Sequence, residues 1–141
     1  MTDPGYPAYR SSILLGGGEP YHVPILPENN YLPVFADIPS DVAKKATAMF
    51  LNYPNNPTGA CATRPFLNDL VAFAKQYDIA VCYDNPYSEV LFNGQERITF
   101  LMAEGAKDVG VELSSLSKPF NMCGWRLGMA SGNRDLIAAI S

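Results

Sequence analysis

The chain has 141 residues, 48% of them hydrophobic, and ten basic against fourteen acidic side chains give a net charge of −4. That length and apolar content suit one domain with a buried core, while the acidic balance, the lack of a Lys/Arg cluster and the lack of any apolar run near ~20 residues exclude a nucleic-acid-tracking surface and a helical membrane span. Cys61, Cys82 and Cys123 are odd in number and widely spaced, with no C-x-x-C pair and only His22 beside them, so structural zinc is excluded and a soluble, cytoplasmic protein with reduced thiols is expected, its cysteines packing as small buried or half-buried hydrophobes.

Asp3-Pro4-Gly5-Tyr6-Pro7 enforces a loop from which Tyr6 projects on a fixed backbone, although a tyrosine in such a place packs more often than it reacts. Residues 12–15 predict a short strand ending at Gly16-Gly17-Gly18, and residues 21–26 a second strand, broken by Pro24, with a turn between them. The triple glycine is a poor phosphate loop, because Glu19-Pro20 follows in place of a helix and neither G-x-G-x-x-G nor a lysine after glycine is present. Residues 27–39 read as a surface connection, and Ser40 as the cap of a short helix reaching about Ala46.

Residues 47–53, around Ala48-Met49-Phe50-Leu51, predict a buried strand that ends at the turn Asn52-Tyr53-Pro54-Asn55-Asn56-Pro57-Thr58-Gly59. Thr63 then caps a helix with Pro65 in its first turn, and Phe66, Leu67, Leu70, Val71, Phe73, Ala74 and Tyr77 recur at helical spacing. Residues 79–83 form a second buried strand, which delivers Asp84 at its carboxyl end. Strand, helix and strand make a right-handed βαβ unit with parallel strands, and ligands of such sheets bind beyond the carboxyl ends.

Residues 86–94 are irregular, and residues 98–103 fit either a short helix or an apolar loop. Residues 109–113 predict a third strand with Ser115 to Lys118 just past its end, and residues 128–132 a fourth that leads to Asn133 as a helix cap. Three strand ends thus present an amide at Asn56, a carboxylate at Asp84 with a phenol at Tyr87, and an amine among hydroxyls at Lys118. Singly each has a plain reading as a turn, a solvated acid or a surface lysine; together they describe a site on an α/β sheet edge.

Asn55-Asn56-Pro57-Thr58-Gly59, Tyr83-Asp84-Asn85-Pro86-Tyr87, Ser115-Leu116-Ser117-Lys118 and Gly124-Trp125-Arg126-Leu127-Gly128, in this order, resemble the class I/II aminotransferases of pyridoxal-phosphate fold type I, and most of all the LL-diaminopimelate aminotransferases and their near relatives. The resemblance runs through nearly the whole chain. It implies a three-layer αβα fold with a mostly parallel sheet, pyridoxal 5'-phosphate as cofactor, amino-acid and 2-oxo-acid substrates, and a homodimer for the intact enzyme.

The resemblance further implies that Lys118 forms a Schiff base with the cofactor aldehyde and shuttles a proton, and that Asp84 pairs with the pyridine nitrogen. Asn56 and Tyr87 would bind the ring oxygen, Ser115, Ser117 and Arg126 the phosphate, and Tyr6 would stack on the ring. The Asn56-Pro57 peptide is expected to be cis. Residues 1–141 would be the central part of the cofactor-binding large domain, with the N-terminal arm and the C-terminal small domain outside them. Two alternatives stand beside the aminotransferase: another enzyme of the same fold, such as a β-lyase or a synthase, and a truncated, non-catalytic remnant.

Overall fold

The structure, a computed structural model, describes residues 1–141. The chain opens with β1 (Thr2–Asp3), turns at a cis Asp3-Pro4 peptide and enters α1 (Pro7–Leu15). The strand expected at residues 12–15 is therefore the last part of a helix. Pro7 in the first helical turn starts it, because its fixed φ suits a helix and its missing N–H would have had no partner there. The short apolar run Ile13-Leu14-Leu15 has no strand partner; the second predicted strand shrinks to β2 (Val23–Pro24), which pairs in parallel with β1 through Thr2↔Val23 and Asp3↔Pro24. A strand–turn–strand arrangement across the glycines is thus replaced by a strand–helix–strand crossover.

The next helix is α2 (Ser40–Lys45), as expected, but Pro39 occupies the cap position and Ser40 is already helical, with no side-chain cap. The central sheet follows: β3 (Ala48–Asn52), then α3 (Arg64–Tyr77), β4 (Ala80–Asp84), the one-turn α4 (Ala106–Val109), β5 (Gly110–Ser115), β6 (Gly128–Gly132) and α5 (Arg134–Ile140). The strand order is β3-β4-β5-β6, parallel through β5, with β6 antiparallel to β5. Two side-chain caps hold as read from sequence: Thr63 Oγ1 accepts the Phe66 N–H, and Asn133 Oδ1 accepts from Asp135 and Leu136.

Strand alternation divides β3 between two layers. Met49, Leu51 and Tyr53 enter the core with Val81, Tyr83 and the buried stripe of α3, namely Phe66, Leu67, Leu70, Val71, Phe73 and Ala74. Each fully buried Leu or Val there contributes about 1.5–3 kcal/mol, and α3 is thereby fixed to that face. Phe50 and Asn52 lie on the opposite face, where Tyr9 of α1 stacks on Phe50 with ring centroids 5.5 Å apart. Helices on both faces of a mostly parallel sheet make the αβα fold that was expected. The undecided residues 98–103 contain a 3-10 turn, Phe100–Met102, which buries Phe100 completely against Tyr83. No helix is long and apolar enough to cross a membrane. Cys61 and Cys82 are half-buried as expected of small hydrophobes, whereas Cys123 is exposed because it lies in the loop between β5 and β6.

Candidate active site

Because β3, β4 and β5 are parallel neighbours, their carboxyl ends share one edge. The register sets Asn52 beside Asp84 and Asp84 beside Leu113, with neighbouring strands about 4.8 Å apart. Everything the sequence placed just past these three strands must therefore emerge on the same side of the sheet.

Asp84, at the end of β4, is half-buried, and its Oδ2 accepts a 2.5 Å hydrogen bond from the Tyr9 hydroxyl of α1. Burial pushes the Asp84 carboxyl above the usual carboxylate range, while the Tyr9 bond, which favours the charged form, pulls it back. Tyr9 itself is pushed far above an ordinary phenol, first by burial, then by the bond to Asp84 and its charge, with smaller contributions from the phenols of Tyr87 and Tyr6. It is therefore a permanent donor. Tyr6 stands at the N-cap of α1, nearly half exposed, with its ring edge-on to Tyr9 at 5.7 Å. Gly5 permits this turn, since a Cβ there would lie 2.5 Å from the Thr2 carbonyl oxygen. Tyr6, Tyr87 and Asp84 thus gather around Tyr9, a residue that sequence reasoning did not single out.

Asn56 follows β3 in a turn with cis peptides at Tyr53-Pro54 and Asn56-Pro57, the second as expected. Its backbone N–H donates to Asn52 Oδ1 at 2.7 Å, and Asn52 Nδ2 donates to the Asp84 carbonyl at 2.9 Å. The turn is closed further by Asn55, whose Oδ1 accepts from the Thr58 N–H and hydroxyl and whose Nδ2 donates to the Asn52 carbonyl.

Lys118, Ser115, Ser117 and Arg126 occupy the β5–β6 connection. Its base is closed by the Leu116 N–H donating to Leu127 O at 3.3 Å, and the Ser117 N–H donates to Ser115 Oγ at 3.1 Å. Arg126 takes the left-handed backbone conformation, φ 54°, and its guanidinium donates to the Cys123 carbonyl. Lys118 is exposed and makes no side-chain hydrogen bond, and neither Lys118 nor Arg126 belongs to any of the four ion pairs. Between Glu112 and Asp135 the chain has no acidic residue, so both cations lack a local counter-charge. No bond joins this loop to Asp84, Asn56 or Tyr87; the shared sheet edge is what relates the two groups.

The edge combines a partly desolvated carboxylate with Oδ1 left without a protein donor, an amine with no partner, a guanidinium outside any ion pair, two hydroxyls and an aromatic face. That combination fits a planar ligand that carries a protonated nitrogen at one end and a multiply charged anion at the other. Two grooves, along α3 and beneath residues 28–40, lie elsewhere and contain none of these residues.

The sequence matches the family described as aminotransferase class I and II over residues 1–141. It is 52% identical to an LL-diaminopimelate aminotransferase of Moorella thermoacetica across 100% of this chain and 36% of that protein. A second LL-diaminopimelate aminotransferase, from Halothermothrix orenii, is 51% identical over 99% of this chain and 36% of its own length. Among solved structures, BacF from Bacillus subtilis superposes with a TM-score of 0.94 at 46% identity, covering 99% of this chain and 35% of that one. A probable N-succinyldiaminopimelate aminotransferase from Thermus thermophilus gives a TM-score of 0.89 at 34% identity, over 95% and 36% of the two chains. The chain therefore spans about a third of the length of the relatives it matches.

Proposed function

Given that this chain belongs to the class I and II aminotransferase family, we propose that it supplies the cofactor-binding edge of a pyridoxal-phosphate-dependent aminotransferase, with LL-diaminopimelate as amino donor and a 2-oxo acid as acceptor. The observation that carries this reading is the single sheet edge on which a partly desolvated, hydrogen-bonded Asp84 ends β4 and the connection leaving the adjacent parallel strand β5 carries Lys118 and Arg126, neither of them in an ion pair. When bound, pyridoxal phosphate supplies an aldehyde that joins amines and a ring that accepts electrons.

The chain's own residues do the rest. Lys118 provides the amine and moves a proton at Nζ. Asp84 accepts a ring N–H through Oδ1 while Tyr9 occupies Oδ2, so its orientation is set before the ligand arrives. Asn56 and Tyr87 bind the ring oxygen, the Tyr6 ring covers one face, and Ser115, Ser117 and Arg126 hold the phosphate, the guanidinium as a two-pronged donor.

Residues 1–141 would form the central part of the large domain. Substrate identity rests on the two relatives named LL-diaminopimelate aminotransferase. Operation as a homodimer in the cytoplasm belongs to the same proposal, and three free cysteines suit a reducing compartment.

The test uses the intact polypeptide incubated with pyridoxal phosphate. A visible absorbance band that is absent in Lys118→Ala, and transfer of the amino group from LL-diaminopimelate to a 2-oxo acid, are expected. A band without transfer but with elimination products would assign a lyase of the same fold, and no band at all would leave a non-catalytic remnant.

A further inference from the structure

Asn56 lies in the turn after one strand and Asp84 ends the next, yet both must reach one small ring for the function above to hold. One side chain bonds to both. Asn52, the last residue of β3, is 2% exposed and pairs in register with Asp84. Its Nδ2 donates 2.9 Å to the Asp84 carbonyl and its Oδ1 accepts 2.7 Å from the Asn56 N–H. Its own carbonyl is gripped by Asn55 Nδ2 at 3.2 Å.

The orientation of this amide is fixed by its partners. Turning it over would set oxygen against the Asp84 carbonyl and NH₂ against the Asn56 N–H, two repulsive contacts in place of two bonds. Near substitutes lose one job or the fit: Asp has no donor, and Gln is a methylene longer. Opening either half would leave a buried polar group without its partner, so both halves of the clamp stay closed. The displacement of Asn56 relative to Asp84 is thereby held within hydrogen-bond tolerance, the precision a catalytic edge requires.

We propose that Asn52 is a positioning residue that couples the Asn56 turn to Asp84, so that both groups address one cofactor ring at once. The proposal rests on the function argued above for the ring, and its geometric half can be read without any cofactor.

In the cofactor-free intact polypeptide, amide hydrogen exchange at Asn56 should speed up roughly tenfold or more in Asn52→Ala, matching the loss of a bond of about 1.4 kcal/mol. In the loaded protein, the pH midpoint of the visible absorbance should move and kcat should fall about 10- to 100-fold in Asn52→Ala and in Asn52→Asp, which keeps the shape but loses the donor to Asp84, with KM changing less. Val71→Ala, which perforates the core on the α3 face, should lower Tm without moving that midpoint. Unchanged exchange at Asn56 would overturn the proposal. So would an Asn52 variant that binds cofactor with wild-type midpoint and kcat, or a midpoint shift equal to that of Val71→Ala. Failure of both Asn52 variants to fold while Val71→Ala folds would reduce Asn52 to a purely structural residue and also overturn it. A wild-type protein with no absorbance band would contradict the function instead, and the exchange experiment would still decide the clamp.

Discussion

Replacing Tyr9 with phenylalanine removes one oxygen and leaves the ring, its stacking on Phe50 and its edge contact with Tyr6 in place. What is lost is the 2.5 Å bond to Asp84 Oδ2, the only hydrogen bond its side chain receives. A hydrogen bond to a charged group is worth about 1.5–3 kcal/mol. Asp84 is only half-buried, so solvent screening brings the expected loss to the lower end, about 1.5 kcal/mol. The sign follows from the physics: burial already raises Asp84, the Tyr9 bond opposes it, and without that bond the carboxyl rises further. The assay is a pH titration of the Asp84 carboxyl carbon by NMR in the cofactor-free intact polypeptide, assigned with Asp84→Asn. An Asp84 that titrates at the same pH or lower in Tyr9→Phe would refute the role given to this bond.

Two further outcomes follow from burial. Tyr83 is fully buried and its hydroxyl has no partner, so Tyr83→Phe should raise stability by about 1 kcal/mol in thermal unfolding; a loss of stability would mean that the hydroxyl is bonded in solution. Burial raises the phenols of Tyr9, Tyr53 and Tyr83. A raised folded pKa gives stability that is complete below the unfolded phenol value of about 10 and is lost as pH climbs above it, because only the unfolded chain then releases protons. Stability should accordingly fall above pH ~10, and less steeply in Tyr53→Phe; identical pH slopes in wild type and variant would contradict this.

Much of the edge was legible because its signals are local. The stripe of α3, its Thr63 cap, the apolar runs of β3 and β4 and the polar residues at their ends depend on short spacings, and the parallel crossover then sets Asn56 and Asp84 on one side. What escaped depends on distance. Tyr9 acquires its role from a partner 75 residues away, and Asn52, read only as the start of a turn, acquires its role from Asp84 on the neighbouring strand. The helix α1 was mistaken for a strand because the short apolar run at residues 13–15 carries no clear period, although Pro7 with Tyr9 two residues on marked where a helix could start. The separation of the Lys118 loop from Asp84 is likewise a matter of tertiary placement, on which the sequence is silent.

In the function proposed here, Lys118 is the amine that meets the cofactor. Incubating the intact polypeptide with pyridoxal phosphate, reducing with borohydride and mapping the pyridoxyl group by peptide mass spectrometry tests it directly. Stoichiometric label on the peptide bearing Lys118 is expected, and label instead on Lys44, Lys45, Lys75 or Lys107, or no label on any lysine, would contradict that role.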